Sequence, residues 1–414
     1  MEDIQDTDVL VVGAGVAGIA AAVAAASKGL KVTLIERNGF PGGKATAAEV
    51  GTVCGLYEFS KSAESTYVAK GFMKEFADEL QKRSETVPLH NNEGLHYLPY
   101  ETSVFKSSCL QLLSDHKVET FFNSVLDKVN ISNNSIGSVE VKTKDQQKKI
   151  NTKTVVDCSG DAAISRATGL EIISSDHYQA AAQVFSLENV TEENEARLGM
   201  ILMKALRSAI DEKKLPDHYD RVYIVQGSLK NNNVNLKLGI PVMVTFLEGN
   251  EEKIKAAASQ FVSGLTDFLV NNVPAFKNAA IKHIAPEVGI RVGMRSSGKY
   301  ILTEDDVLGC RKFNDAIANG SWPIEEWELH KRVKMRYFNH DDFYQVPAGC
   351  LQSKYIDNLF MAGRNISATT AAIASARVMG TCLQTGYAAG SMAAGKVLGI
   401  GEQDVINSIQ TRQL

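Results

Sequence analysis

The residues with the clearest chemistry lie near the start of the chain. Gly13-Ala14-Gly15-Val16-Ala17-Gly18 fits G-x-G-x-x-G, and Glu36 stands roughly 20 residues further on. Each position has a physical task. Gly13 permits a tight turn from strand to helix, Gly15 lets backbone approach a pyrophosphate, and Gly18 lets helix and strand pack closely. The helix that follows offers free N–H groups and the positive end of its dipole to phosphate. Glu36 is placed to accept hydrogen bonds from a ribose. Together these residues predict a dinucleotide site, with Ala17 in the turn of helix beside the phosphates.

A second glycine turn follows the acid, in Arg37-Asn38-Gly39-Phe40-Pro41-Gly42-Gly43-Lys44-Ala45-Thr46. A nicotinamide dinucleotide has no use for it. A cofactor that continues from pyrophosphate into a ribityl chain and flavin ring does, because backbone must run close beside it. Arg37, Gly42, Gly43, Lys44, Ala45 and Thr46 are therefore candidate cofactor contacts. Elsewhere, Arg291 and Arg295 are four apart in a glycine-punctuated stretch and could grip a substrate carboxylate as a forked pair, or form an interface salt bridge. Tyr344 is a candidate acid–base group; His340, beside Asp341 and Asp342, reads better as a solvated turn. Arg364 is a candidate for ribityl or phosphate oxygens. The histidines show no metal-ligand spacing, so no metal is expected.

The elements that must position these groups follow from periodicity. Asp8–Val12 is a short apolar run suited to a central parallel strand. An alanine-rich helix runs to Lys28 and stops at Gly29, and Leu30–Ile35 is the next strand. Residues 67–83 and 253–273 have helical patterning. Residues 118–128 read as a strand, followed by a hairpin across 130–137 and a strand to Val156. Alternation at Val234, Leu236, Leu238 and Ile240, after a strand at 221–229, predicts an antiparallel unit. Tyr355–Gly363 reads as a buried strand, and 371–397 as one long helix of small residues whose N-terminus would face the flavin. The fold class expected is α/β: a discontinuous Rossmann-like cofactor domain with an inserted α+β domain containing an antiparallel sheet. The expected division is 1–60, 108–175 and 345–414 for the cofactor domain, and 61–107 with 176–344 for the substrate or cap domain. Nine of the 32 glycines lie in 1–55 and eight in 349–414, which points to one cofactor held by both ends of the chain.

Composition bounds the remainder. The 414 residues carry 44 Lys+Arg and 48 Asp+Glu, a net charge of −4, and 44% are hydrophobic. Without a basic block, no nucleic-acid or anionic-membrane footprint is expected. The six cysteines are scattered with no C-x-x-C, which suits buried thiols in a reducing compartment. The acidic start lacks the basic region of a secretory leader, and no membrane span is patterned. A cytoplasmic protein taking a small-molecule substrate is expected; a homo-oligomer is compatible with the sequence.

Four segments, 8–56, 118–170, 286–327 and 344–397, together resemble the FAD-dependent oxidoreductase family of glutathione-reductase-type folds. Gly42-Gly43-Lys44-Ala45-Thr46-Ala47 resembles the family's G-G-x-A-T-A turn beside the flavin. Asn123-Ser124-Val125 resembles the strand whose valine backbone holds the adenine, and Asp157-Cys158-Ser159-Gly160-Asp161 its D-A-T-G-D. Residues 300–307 and 317–324, after Gly289-Ile290-Arg291, resemble its middle signature. Gly363-Arg364 and the run through Ala372, Ile373 and Ser375-Ala376-Arg377-Val378-Met379 resemble its flavin-closing motif. The resemblance implies FAD as cofactor and a dehydrogenase, oxidase or desaturase that takes hydride from a small organic substrate. The alternatives are a flavin monooxygenase and a non-catalytic dinucleotide-binding protein. Two departures stand near the expected ring. Thr370-Ala371 replaces the family's His-Glu, and Ala348-Gly349 replaces its Tyr-Arg, so catalytic residues are not carried over there.

Overall fold

The computed structural model describes residues 3–144, 146–175, 178–247, 249–329 and 333–414. Its centre is a sheet ordered Glu119–Phe121, Val32–Ile35, Asp3–Val12, Gln147–Asp157, Ser135–Lys142, Val125–Ser132, with Leu359–Met361 also paired to Gln147–Asp157. The first four strands and Leu359–Met361 are mutually parallel, and the last two form an antiparallel flap. Val9, Leu10 and Val11 are wholly buried, as a strand covered on both faces requires. The register aligns Val12 with Ile35 and Asp157, and Asp157 with Met361. Four parallel strands therefore end together, the geometry in which α/β sheets place their ligands.

Two helices cover one face of this sheet. Residues 17–25 of the helix Val16–Ala26 are all buried. The helix Met379–Leu398 lies on it so closely that a Cβ at Gly386 or Gly390 would overlap the backbone of Ala17 or Ala21. The small residues at the two ends of the chain thus make one backbone-to-backbone contact.

The inserted unit is a four-stranded antiparallel sheet, ordered Val222–Ile224, Val234–Gly239, Ala182–Glu188, Ala280–Ile284. Apolar residues at alternate positions (Val234, Leu236, Leu238) are buried under the helices Glu195–Asp211 and Asn250–Asn272. The expected α/β fold with an inserted antiparallel sheet is what the structure has.

Three local expectations are corrected. Residues 118–128 are two strands, not one; the chain turns at Asn123, whose φ is +52°, and Val125 opens the antiparallel flap. The helix Asn250–Asn272 buries a stripe through Ile254, Ala258, Val262, Leu265 and Leu269; periodicity predicts Ile254, Ala257, Phe261, Phe268 and Leu269, of which only Ile254 and Leu269 are on it. Residues 371–397 are two helices, Thr370–Ala376 and Met379–Leu398, separated by Val378 in extended conformation (φ −67°, ψ 154°). Val378 packs over Gly55, and Gly380 lies flush against the Gly55 carbonyl. This tertiary contact breaks a run that local propensity alone would continue.

Candidate FAD site

The parallel strands open into a cleft of about 1300 Å³, its open mouth included. Glycine shapes its floor. Gly13 has φ +98°, and a Cβ there would lie 2.7 Å from the Cys158 carbonyl oxygen. Gly18 faces the Gly13 carbonyl with no room for a side chain. The Gly42 N–H donates to the Ala14 carbonyl at 2.8 Å, and a Cβ on Gly43 would come within 2.9 Å of the Gly15 Cα. The two glycine turns are thus locked side by side, and no side chain caps the helix Val16–Ala26. A cradle lined by backbone beside an uncapped helix N-terminus fits a pyrophosphate.

Glu36 closes one side. Its Oε2 accepts from the Ala14 N–H at 2.7 Å, and its Oε1 from the Asn38 N–H at 2.9 Å. Burial pushes its carboxyl up, against the pull of these two N–H groups. Each oxygen keeps a lone pair for a ribose hydroxyl. Opposite, Asp157 organises the turn after its strand: its oxygens accept from the Ser159 N–H at 3.0 Å and the Ile164 N–H at 2.9 Å. Asp161, carried on that turn, has a buried Oδ1 without a hydrogen-bond partner. An orphaned buried acceptor on the wall of a cleft is what a ligand hydroxyl or N–H would satisfy.

Cations line the next stretch. Lys44 Nζ lies 2.6 Å from Glu287 Oε2 and donates to the Val288 carbonyl at 3.1 Å, while Arg37 reaches the same carboxylate at 3.2 Å. Burial alone would raise the Glu287 carboxyl, but Lys44 and Arg37 outweigh it and hold it at about 2. Burial lowers Lys44, with the Glu287 charge opposing. Arg364 spans Gly160, donating to the Ile290 carbonyl at 2.8 Å.

Of the expected cofactor residues, Gly13, Gly15, Ala17, Glu36, Arg37, Gly42, Gly43, Lys44, Ala45, Val125, Ser159, Gly160, Gly363 and Arg364 line the cleft. Four sit behind it. Gly18 packs helix on strand. Thr46 donates its hydroxyl to the Pro41 carbonyl at 2.7 Å. Ala372 and Ile373 are wholly buried, because the helix that begins in the cleft is Met379–Leu398, with Met379 and Cys382 on the wall.

The substrate-side expectations fare differently. Arg295 is buried and commits its guanidinium to the Ala368 and Gly293 carbonyls and the Thr370 hydroxyl. It has no fork to offer a substrate, and Arg291 parts company with it. Tyr344 is a core residue: its hydroxyl pairs with Ser375 at 2.7 Å, its ring fills the space above Gly320, and it does not line the cleft. His340 donates from Nε2 to the Glu93 carbonyl and stacks on Phe59. The departures Thr370 and Gly349 pack on Arg295 and Tyr300. Sequence reading missed Asn38, Arg166, Glu287 and Arg377, all on the cleft wall. Glu287 had a signal, two residues before Gly289 in a segment already singled out; Asn38 and Arg377 stood inside quoted motifs without being chosen as contacts, and Arg166 had no signal.

A family model described as FAD dependent oxidoreductase matches residues 8–408. The chain belongs to the FAD-dependent oxidoreductase family. FAD is accordingly its cofactor, and the cleft has the backbone cradle and acid that FAD needs. A 43-residue stretch is 57% identical to hydroxyneurosporene desaturase of Rhodobacter capsulatus, covering 10% of this chain and 9% of that protein. Another of 136 residues is 30% identical to lysine-specific histone demethylase 1 homolog 2 of Arabidopsis thaliana, covering 31% and 16%. Both matches span far less than two thirds of those relatives. Among solved structures, the fold is similar to the anhydrotetracycline hydroxylase OxyS of Streptomyces rimosus (TM-score 0.50, 10% identity, 98% of this chain and 65% of that one). It is also similar to a geranylgeranyl bacteriochlorophyll reductase-like protein of Thermoplasma acidophilum (0.48, 13%, 99% and 83%). Such identities establish likeness of fold alone. Among the described residues no helix is long and apolar enough to cross a membrane.

Proposed function

We propose that this FAD-dependent oxidoreductase acts on a small organic substrate held between the inner end of the cleft and the antiparallel sheet, and that it is a monooxygenase. The observation that carries the placement is Arg377. It lines the cleft and pairs at 3.3 Å with Glu325, whose strand Ile324–Glu326 belongs to the sheet side of the molecule. The cofactor unit, proposed as 1–60, 108–175 and 345–414, would hold FAD through the Gly13–Gly18 and Gly42–Ala45 turns, Glu36, Val125, Ser159, Gly160, Gly363 and Arg364. Bound FAD supplies two-electron chemistry. The uncapped start of the helix Met379–Leu398 would favour negative charge there.

What supports oxygen insertion over hydride removal is analogy of fold: OxyS, a hydroxylase, shares this architecture over 98% of the chain. One oxygen atom of O2 would enter the substrate and the other leave as water, with two electrons from a reduced nicotinamide dinucleotide. Hydride removal is the second reading, on family membership alone.

Anaerobic reduction separates the two. The expected result is flavin bleached anaerobically by NADPH or NADH, faster with a substrate from a metabolite panel, and, once isotopically labelled O2 is admitted, one labelled oxygen atom recovered in the product. Bleaching by an organic compound with no nicotinamide present replaces monooxygenation by hydride removal. Absence of bound flavin sinks both.

A further inference from the structure

Beyond the cofactor cleft lies a cluster that the family match does not assign. Trp327 is approached by two cations: the Arg291 guanidinium 4.1 Å from its ring centroid and Lys237 Nζ at 5.4 Å. Glu325 is the carboxylate among them. Its Oε1 accepts from Trp327 Nε1 at 2.8 Å; its Oε2 accepts from Trp322 Nε1 at 3.2 Å and pairs with Arg377. Lys237 and Tyr223 are register partners on adjacent strands, so they share the face opposite the helix-covered one. Arg291 comes from the loop after the sheet, and Arg377 from the break between the two C-terminal helices. Separate parts of the chain thus deliver three cations to one carboxylate, and Arg221 adds positive potential at Arg291.

The charge balance is the informative point. An ion-pair network that only tied two units together would be neutral, since an uncompensated buried charge is costly. Here the described groups leave a surplus of positive charge. Glu325 already accepts bonds at both oxygens. Lys237 has no carboxylate within 4.0 Å among the described residues, Arg291 gives one bond, to the Ala180 carbonyl at 2.5 Å, and the buried Arg377 Nε has no partner. Open donors of one sign beside aromatic rings are what an anionic organic molecule would complete.

We propose that Lys237, Arg291 and Arg377, gathered round Trp327 and Glu325, form the seat for the oxyanion of an organic substrate, a carboxylate or a phosphate. This rests on the reading that a substrate enters between cleft and sheet, and it replaces the Arg291–Arg295 fork. Arg291 and Arg377 supply planar donors, and Lys237 a point charge. Glu325 is a positioning residue that keeps the two indoles and Arg377 in place.

Both tryptophans of the chain, Trp322 and Trp327, bond to Glu325, so intrinsic fluorescence reports on this cluster without turnover. The holoenzyme is titrated with benzoate, phenyl phosphate and the neutral benzamide. The expected result is a saturable change with at least one anion, and benzamide weaker by roughly 10- to 100-fold, the worth of a charge-assisted bond. The tighter anion names the oxyanion. Lys237→Gln and Arg291→Met should each weaken that anion by a similar factor, with FAD content unchanged. Lys237 is half-buried and bears no ion pair among the described residues, so its variant keeps the test open should Arg291→Met fail to fold. Binding of neither anion, equal binding of benzamide, or unaltered affinity in a folded Lys237→Gln variant overturns the proposal. Oxygen incorporation plays no part in this readout, so the seat and the monooxygenase reading fail separately.

Discussion

The two halves of the candidate site are built on opposite principles. The dinucleotide end is made of backbone: glycines at 13, 15, 42 and 43 would bring main chain to the ligand, and side chains such as Glu36 and Asp157 hold N–H groups in place. The sheet end is made of side chains, Lys237, Arg291, Glu325, Trp327 and Arg377, whose backbones lie far apart in sequence. A backbone site tolerates little change at its glycines and much elsewhere. A side-chain site can change its ligand with one substitution while the fold stands. The cofactor is therefore the fixed commitment of this architecture in a physical sense, and the substrate its adjustable part.

Four substitutions can break or sharpen that contrast. The largest effect is expected at Gly13→Ala, where a Cβ meets the Cys158 carbonyl at a φ of +98°. FAD affinity should fall about 100-fold or more, read by flavin retained through gel filtration; retention of flavin would break the contrast. At the other end, Glu325→Gln strips three cations of their carboxylate. Stability should drop by roughly 3 kcal/mol, read by thermal melting, while flavin stays bound. Glu287→Gln probes the cations of the cofactor end through pH. The Glu287 carboxyl is lowered from 4.5 to about 2 in the folded chain, so its contribution is complete above 4.5 and is lost as pH falls toward 2. The melting temperature of the natural protein should therefore exceed that of the variant at neutral pH and converge on it in acid. A constant gap would show that Glu287 does not act through its charge. The smallest effect is expected for Tyr344→Phe, which removes the bond to Ser375: about 1 kcal/mol of stability, with flavin content and turnover per flavin unchanged. A large loss of turnover would return Tyr344 to the catalytic machinery.

The same contrast explains what could be read in advance. Glycine spacing encodes backbone shape locally, so the cradle, the acid at 36 and the closing strand at Asp157 were legible from residues alone. Alternation at Val234, Leu236 and Leu238 likewise revealed the second sheet, because burial on one face imposes period two. Glu287 was not legible as a cleft residue, nor was the pairing of Arg377 with Glu325, since both depend on where remote segments are brought. Arg295 misled for the converse reason: its spacing from Arg291 looked like a fork, but burial made it a server of backbone carbonyls. The break at Val378 was hidden because its cause, the contact with Gly55, is tertiary.

The close seating of Gly386 and Gly390 on Ala17 and Ala21 also sets a clock. The first strand and helix leave the ribosome hundreds of residues before Met379–Leu398 does. At ~5–20 residues per second the wait is roughly 20–70 s. Through that interval the face of Val16–Ala26 at Ala17 and Ala21 lacks the cover of Gly386 and Gly390, and the strand Gln147–Asp157 lacks Leu359–Met361 on its flank. The cradle's glycine turns are made long before the part of its wall at Gly363, Arg364, Arg377, Met379 and Cys382. A complete cleft must wait for that wall, and translation speed across the intervening stretch sets how long the uncovered alanine face must be sheltered.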